Sequence, residues 1–71
     1  MKIRFFESTG KDHKIGGEYE TFLCSINSTA TPLIGELVMI NDDLKAYRVI
    51  DICTILYDEE PRCEILLFEE E

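Results

Sequence analysis

Residues 32–40, PLIGELVMI, followed after a short polar segment by residues 47–52, YRVIDI, decide how this chain folds. Residues 37–40 form a short, continuously apolar run, the pattern of a β-strand that is covered on both faces. Gly35 precedes this run at a position where a positive φ would let the chain turn. The residues between the two runs, 41–45, are of the types that tolerate turn dihedrals. The stretch therefore predicts a β-hairpin.

The second arm of this hairpin, residues 46–57, is long for a strand, and its apolar pattern changes phase. Tyr47 and Val49 point one way, whereas Ile50 and Ile52 continue on the opposite parity. A β-bulge near Val49 and Ile50 would restore a single inward face and bend the strand. A bend of this kind lets one strand take part in both sides of a small barrel.

Three further strands are predicted on either side of the hairpin, at residues 2–7, 18–26 and 62–69. The residues expected to face inward are Ile3 and Phe5 in the first of these and Cys63, Ile65 and Leu67 in the last. In the strand at 18–26, Phe22, Cys24 and Ile26 are expected to share one face. The predicted fold is all-β, with residues 1–71 forming one domain: a small five-stranded barrel or roll with a long, bent fourth strand.

Length and composition fit such a domain. A chain of 71 residues makes one domain at most, and a domain of this size has a thin core. No apolar stretch reaches the roughly 20 residues that cross a bilayer. The first seven residues carry charges and lack the apolar region of a secretion signal. We therefore expect a cytoplasmic protein without a membrane segment.

The cysteine pattern supports the same compartment. The cysteines are Cys24, Cys53 and Cys63. They are odd in number and form no Cys-x-x-Cys pair, and each lies in an apolar run. A Cys53–Cys63 disulfide across the last hairpin is the alternative to free thiols. Pairing Tyr57 with Pro61 would set Cys53 against Ile65 instead, so free structural thiols are the prediction.

Acidic residues dominate the charge. The formal net charge is −8, and residues 58–71 carry seven acidic side chains against Arg62 alone, ending in an acidic tail at 69–71. A field of this sign repels phosphate backbones, so direct nucleic-acid binding is disfavoured. It favours a basic partner, or it serves only to keep a small protein in solution.

The spacing of Pro32, Gly35 and Glu36, the following Tyr47-x-Val49 pair and the closing strand at 64–67 resembles a loose group of small SH3-like β-barrel proteins. These proteins occur in bacteria, phages and other mobile elements and are mostly uncharacterised. The resemblance covers residues 1–7 and 32–69. It implies a barrel architecture and a mobile-element origin, and its shared positions are core and turn residues.

The inventory of reactive residues is poor. His13 is the single histidine, and a Cys–His pair with Cys24 would require the fold to bring the two together. The acid pairs at 42–43 and 59–60 would bind Ca²⁺ or Mg²⁺ only if they converged with other oxygen ligands. No phosphate-binding or nucleophile-elbow motif is present. We therefore predict no catalytic, cofactor-binding or metal-binding residue and no enzymatic activity.

Two functions remain in competition. The first is a non-catalytic protein-interaction module that binds a protein partner, for which a basic surface would fit, or a second copy of itself. The alternative is an acidic mimic of nucleic acid that inhibits a nuclease or a host defence system; a small metal-dependent or cysteine-based enzyme is a lesser alternative. The candidate partner-binding residues are Phe6, Glu59, Glu60, Glu64, Phe68, Glu69 and Glu70.

Overall fold

The computed structural model describes residues 1–10, 15–16, 20–40, 45–56 and 59–70. These residues contain five β-strands and no helix. The strands are β1 (Lys2–Glu7), β2 (Thr21–Asn27), β3 (Leu37–Met39), β4 (Ala46–Ile55) and β5 (Arg62–Glu70). They form one strongly curled sheet, a half-barrel. The all-β prediction is confirmed, and the architecture is consistent with a small SH3-like barrel.

The strand order across the sheet is β2-β1-β5-β4-β3. The first and last strands pair in parallel, with Ile3 opposite Cys63 and Phe5 opposite Ile65, and the other pairs are antiparallel. The last strand therefore lies in the centre of the sheet. The second and third strands form its two edges.

The predicted bulge in the fourth strand is present. The register of β4 against β5 shifts between Val49 and Asp51, so that Ile50 is the additional residue. Val49 on one side of the bulge is buried, and Ile52 on the other side packs against the same core. The bulge therefore reconciles the two phases of the apolar pattern, as the sequence indicates. The strand ends at Ile55, and residue 57, the predicted end, lies outside the described residues.

The core occupies the concave face of the sheet. Its buried residues are Ile3, Phe5, Ile40, Tyr47, Val49, Cys63, Ile65 and Leu67. Every residue predicted to face inward from the first and last strands belongs to this cluster, so that part of the prediction is confirmed. With about 25 cal/mol for each Å² of apolar surface removed from water, this cluster is the main source of stability.

The chain enters the third strand through a turn at Gly35, which has the positive φ that the sequence indicates, 94°. The Gly35 N–H donates to the carbonyl of Val49, and the Val49 N–H donates to the carbonyl of Glu36, both at 2.9 Å. The connector is therefore bonded directly to the bulged part of β4. A glycine suits this position because other residues are strained at positive φ.

The second strand differs from its predicted orientation. The β1–β2 register shifts between Phe5 and Phe6, so that Cys24 lies opposite Phe5 and Phe22 lies opposite Phe6. Directly opposed residues in a sheet share a face, so Phe22 lies on the convex face, away from Cys24. Cys24 and Ile26 share the concave face as predicted, but Phe22 does not, because this bulge reverses the alternation within the strand.

The last hairpin also has a different register from the predicted one. Thr54 lies opposite Cys63 and Cys53 opposite Glu64, one residue away from the predicted alignment. The observed register places Ile52 opposite Ile65 on the core face, which a shift by one residue would prevent. Cys53 and Cys63 therefore lie on opposite faces.

Leu66 is fully buried although it points to the convex face, opposite Phe6 on one side and Asp51 on the other. The backbone N–H of Ile15 donates to Oδ2 of Asp51 at 3.0 Å. This bond brings the segment at Ile15 onto the convex face, beside the row that contains Leu66. Of the connection between β1 and β2, Ile15 is thus bonded to the sheet.

We expect replacement of Leu66 by alanine to lower the free energy of unfolding by about 2–5 kcal/mol, as for a core leucine. The matched control is Leu56→Ala, because Leu56 is 67% exposed, and its effect should stay within about 0.5 kcal/mol. Urea unfolding followed by circular dichroism measures both. Equal, small effects would show that the convex face at Leu66 is open to solvent.

Candidate partner-binding site

The half-barrel is open along one side. The curl of the sheet brings its two edges, β2 and β3, to opposite sides of an apolar groove of about 310 Å³. We call this groove the seam; its lining residues are Phe5, Cys24, Ile26, Val38, Met39 and Ile40. None of these side chains is charged, and Ile26 and Met39 are exposed. The seam is therefore where the core reaches the surface.

The second strand is the longer of the two edges. It has seven residues, pairs only with β1 among the described strands, and carries no charged side chain. Phe22 and Ile26 are about half exposed, on opposite faces of the strand. An edge with free backbone N–H and C=O groups is a template for pairing with another strand.

Carboxylates stand at both ends of this edge. Beyond Asn27, Glu59 and Glu60 line a hollow together with Lys2. Beyond Thr21, Glu7 and Glu69 line another, together with Phe68. The neutral strand is thus bounded by acidic groups at each end.

The convex face carries an aromatic cluster around Arg4. The rings of Phe6 and Phe22 meet edge to face with their centroids 5.5 Å apart. The guanidinium of Arg4 lies 5.2 and 5.3 Å from the two centroids and 3.8 Å from the carboxylate of Glu64. Cation–π and ion-pair contacts of this kind are typical of a partly solvated surface. They hold Phe6 in place on the sheet.

Three of the predicted partner-binding carboxylates have basic neighbours within the chain. Besides the Arg4–Glu64 pair, Lys45 Nζ lies 3.9 Å from Glu69. Arg48 donates from Nε and Nη2 to the two carboxylate oxygens of Glu70, at 2.7 and 2.9 Å. These contacts neutralise part of the charge that the sequence places at its acidic end.

The Arg48–Glu70 pair is bidentate, and Arg48 also donates to the carbonyl of Gly35 at 2.7 Å. The hydrogen bond from Arg48 lowers the pKa of Glu70. The same hydrogen bond raises the pKa of Arg48. The pair therefore connects the end of β5 to the turn before β3 and positions that edge.

The predicted partner-binding residues do not form one site. Glu59 and Glu60 are exposed in the turn before β5, and Glu64 lies in the middle of the convex face. Glu69 and Glu70 lie at the far end of the same strand, about 25 Å from its beginning at 3.3 Å per residue. Phe6 and Phe68 are half-buried. These residues are therefore spread along the whole length of β5.

The seam was not among the predicted sites, since its residues have the apolar character expected of core. One signal was present in the sequence: residues 21–27 lack any charge in a chain with net charge −8. Edge strands usually carry charges that discourage pairing, so a neutral strand indicates either a central strand or a binding edge.

The described residues contain no group of three or more His, Cys, Asp or Glu side chains placed to hold a metal ion. His13 and the acid pair at 42–43 lie outside the described residues, as does residue 71. The described part of the chain also includes no helix with the length and hydropathy of a membrane span. Searches of protein-family models, curated proteins and solved structures gave no match to this chain.

The three cysteines are free, as predicted, and differ in environment. Cys63 is buried in the core, Cys24 is half-buried at the seam, and Cys53 is exposed on the convex face. The expectation that all three pack as small apolar residues therefore fails for Cys53. Burial raises the pKa of the Cys63 thiol, which disfavours its reactive thiolate.

A thiol reagent should therefore modify Cys53 first and Cys63 last, with Cys63 reacting on the time scale of unfolding. The reagent is an aromatic disulfide, and its absorbance change, followed first by stopped flow and then over longer times, resolves the reaction phases of the three thiols. The Cys53→Ser variant should lose the fastest phase. Persistence of that phase in the variant would contradict the exposed position of Cys53.

Carboxyl NMR should report a titration midpoint for Glu70 below its ordinary value, because the charged form accepts hydrogen bonds from Arg48. A depressed folded-state pKa means that the pairing stabilises the fold above the unfolded-state pKa and is lost as the pH falls through the folded value. Arg48→Met should raise the midpoint, whereas Lys45→Met should leave it unchanged. An unchanged midpoint in Arg48→Met would show that the pair does not persist in solution.

Proposed function

We propose that this protein is a non-catalytic interaction module that binds a protein partner or a second copy of itself through the β2 edge and the seam. The observation that carries the proposal is the neutral, seven-residue edge strand beside an apolar groove. Such an edge offers two kinds of contact at once: unpaired backbone groups and exposed apolar side chains.

In a domain this small, apolar side chains that stay exposed beside the core support the proposed interface. The concave face of the sheet holds the core, and on the convex face Leu66 is buried and Asp51 is bonded to Ile15. Even so, Ile26 and Met39 remain about half exposed at the seam. Neighbouring apolar side chains left uncovered on a small domain are typical of a protein interface.

The acidic-mimic alternative has less support. Mimicry of a nucleic-acid backbone requires several unpaired carboxylates at regular spacing along one surface. Glu64, Glu69 and Glu70 each have a basic neighbour within 4 Å, and the exposed Glu59 and Glu60 lie at the opposite end of β5 from Glu70. Negative charge here more readily serves solubility and the choice of partner.

We further propose a cytoplasmic location. Three free thiols, one of them exposed on the surface, suit a compartment in which glutathione and thioredoxin keep cysteines reduced.

A charged substitution at the β2 edge tests the proposal. Ile26→Lys places a charge at the seam on a side chain that is 47% exposed, so the fold should tolerate it. The control, Leu33→Lys, places the same charge on a side chain that is 66% exposed in the connector. Light scattering and affinity capture from lysate of the source cells should both be applied to the wild type and the two variants.

We expect the wild type to form a defined complex, either an oligomer or a one-to-one assembly with a captured protein. Ile26→Lys should lose that complex and Leu33→Lys should retain it, while circular dichroism shows both variants folded. A strictly monomeric wild type without a recoverable partner, or a complex that both variants retain, would overturn the proposal.

A further inference from the structure

We infer that the β2 edge takes an extended peptide segment of a partner protein, a short run of alternating apolar residues with basic residues at the end that lies beside Thr21. This inference rests on the proposed function and specifies the chemistry of its partner. It follows from three properties of the edge: its unpaired backbone, the groove beside it and the acidic charge at its Thr21 end.

The backbone of β2 can bond to an added strand. Among the described strands β2 pairs only with β1, so the other side of Thr21–Asn27 is available for ladder hydrogen bonds. A peptide that adds a strand to a sheet edge obtains most of its affinity from such bonds. The added strand would stand between β2 and β3 and narrow the opening of the half-barrel.

The seam can hold side chains of the added strand. Side chains alternate along a strand, so every second residue of the added peptide would face the seam. The described residues that line the seam have apolar side chains, and its volume is near the lower limit of about 300 Å³ for small-molecule sites. These residues supply no convergent polar groups of the kind that orient a small ligand. Apolar side chains of the added strand are therefore its best-matched occupants.

The charges near the ends of β2 favour a basic peptide. At the Asn27 end, Lys2 and the N-terminal ammonium of Met1, which donates to the carbonyl of Ser28 at 3.0 Å, balance Glu59 and Glu60. At the Thr21 end lie Glu7, Glu20 and Glu69, with Lys45 paired with Glu69. Among the described residues, carboxylates are therefore in excess at the Thr21 end. A basic residue of the peptide beside Thr21 matches this charge.

A second copy of the chain matches it poorly. A parallel pair of β2 strands sets the two acidic Thr21 ends side by side. An antiparallel pair sets the Thr21 end of one copy beside the balanced Asn27 end of the other and gains no charge attraction. With a net charge of −8 on each copy, the field opposes self-association.

The test uses the full chain and three synthetic peptides. The probe has alternating valine and threonine with two lysines at each end. The first control has glutamates in place of the lysines, and the second keeps the lysines but has proline in place of the threonines, which removes backbone donors. Calorimetry measures affinity, and amide hydrogen exchange locates the bound segment.

We expect the probe to bind at least tenfold more tightly than either control and to protect the amides of β2. Raising the salt from 0.05 to 0.5 M should weaken the probe because exposed charge pairs are screened. Glu7→Gln, which removes a carboxylate at the Thr21 end, should weaken it about twofold to fivefold. Glu64→Gln, which removes the same kind of charge from the convex face, should leave the affinity within about twofold.

Equal binding of the probe and the proline control, or protection confined to other strands, would overturn the inference. A stable dimer of the wild type that protects β2 and excludes the probe would also overturn it, while supporting the proposed module. If Ile26→Lys loses a captured partner but the wild type does not bind the probe, the proposed module is supported and the inferred partner chemistry is overturned. If Ile26→Lys loses no partner and the wild type does not bind the probe, both the proposed function and this inference are overturned.

Discussion

The pairing of β5 with β1 on one side and β4 on the other is the constraint on which the other elements depend. This strand contributes buried residues to both faces: Cys63, Ile65 and Leu67 on the concave side and Leu66 on the convex side. The half-barrel is therefore built outward from its last strand. Each remaining strand is positioned by its distance from β5, and the two strands farthest away become the edges.

Curvature follows from irregularities on both sides of this centre. The additional residue Ile50 bends β4, and the register shift opposite Phe5 and Phe6 bends β2. A sheet bent at two places brings its edges near each other without joining them. The opening that results exposes apolar side chains from both edges, and the candidate site is thus a consequence of an incompletely closed barrel.

Much of the fold can be predicted from the sequence because alternation and turn residues are local signals. The bulge at Ile50 follows from the change of phase after Val49, and the positive φ of Gly35 follows from its place before an apolar run. The orientation of Phe22 could not be obtained in this way, since the bulge in β2 leaves no charged residue out of place. The burial of Leu66 on the convex face also escapes local reasoning, because it lies opposite Asp51, which Ile15 contacts from far along the chain. The seam could not be foreseen for a related reason: its residues are those of a core, and only the strand order reveals that they lie at an edge.

The parallel pairing of the first and last strands has a consequence for how the domain is made. Ile3 has its partner at Cys63, so β1 and its neighbour β2 cannot join the sheet until the last strand has left the ribosome. At about 5–20 residues per second, roughly 60 residues separate the two by about 3–12 s of synthesis. During this time the β1–β2 hairpin has only its own bonds, and an isolated hairpin is marginally stable in water. The apolar side chains of this hairpin therefore stay uncovered until β5 is available, and only then can the whole sheet assemble.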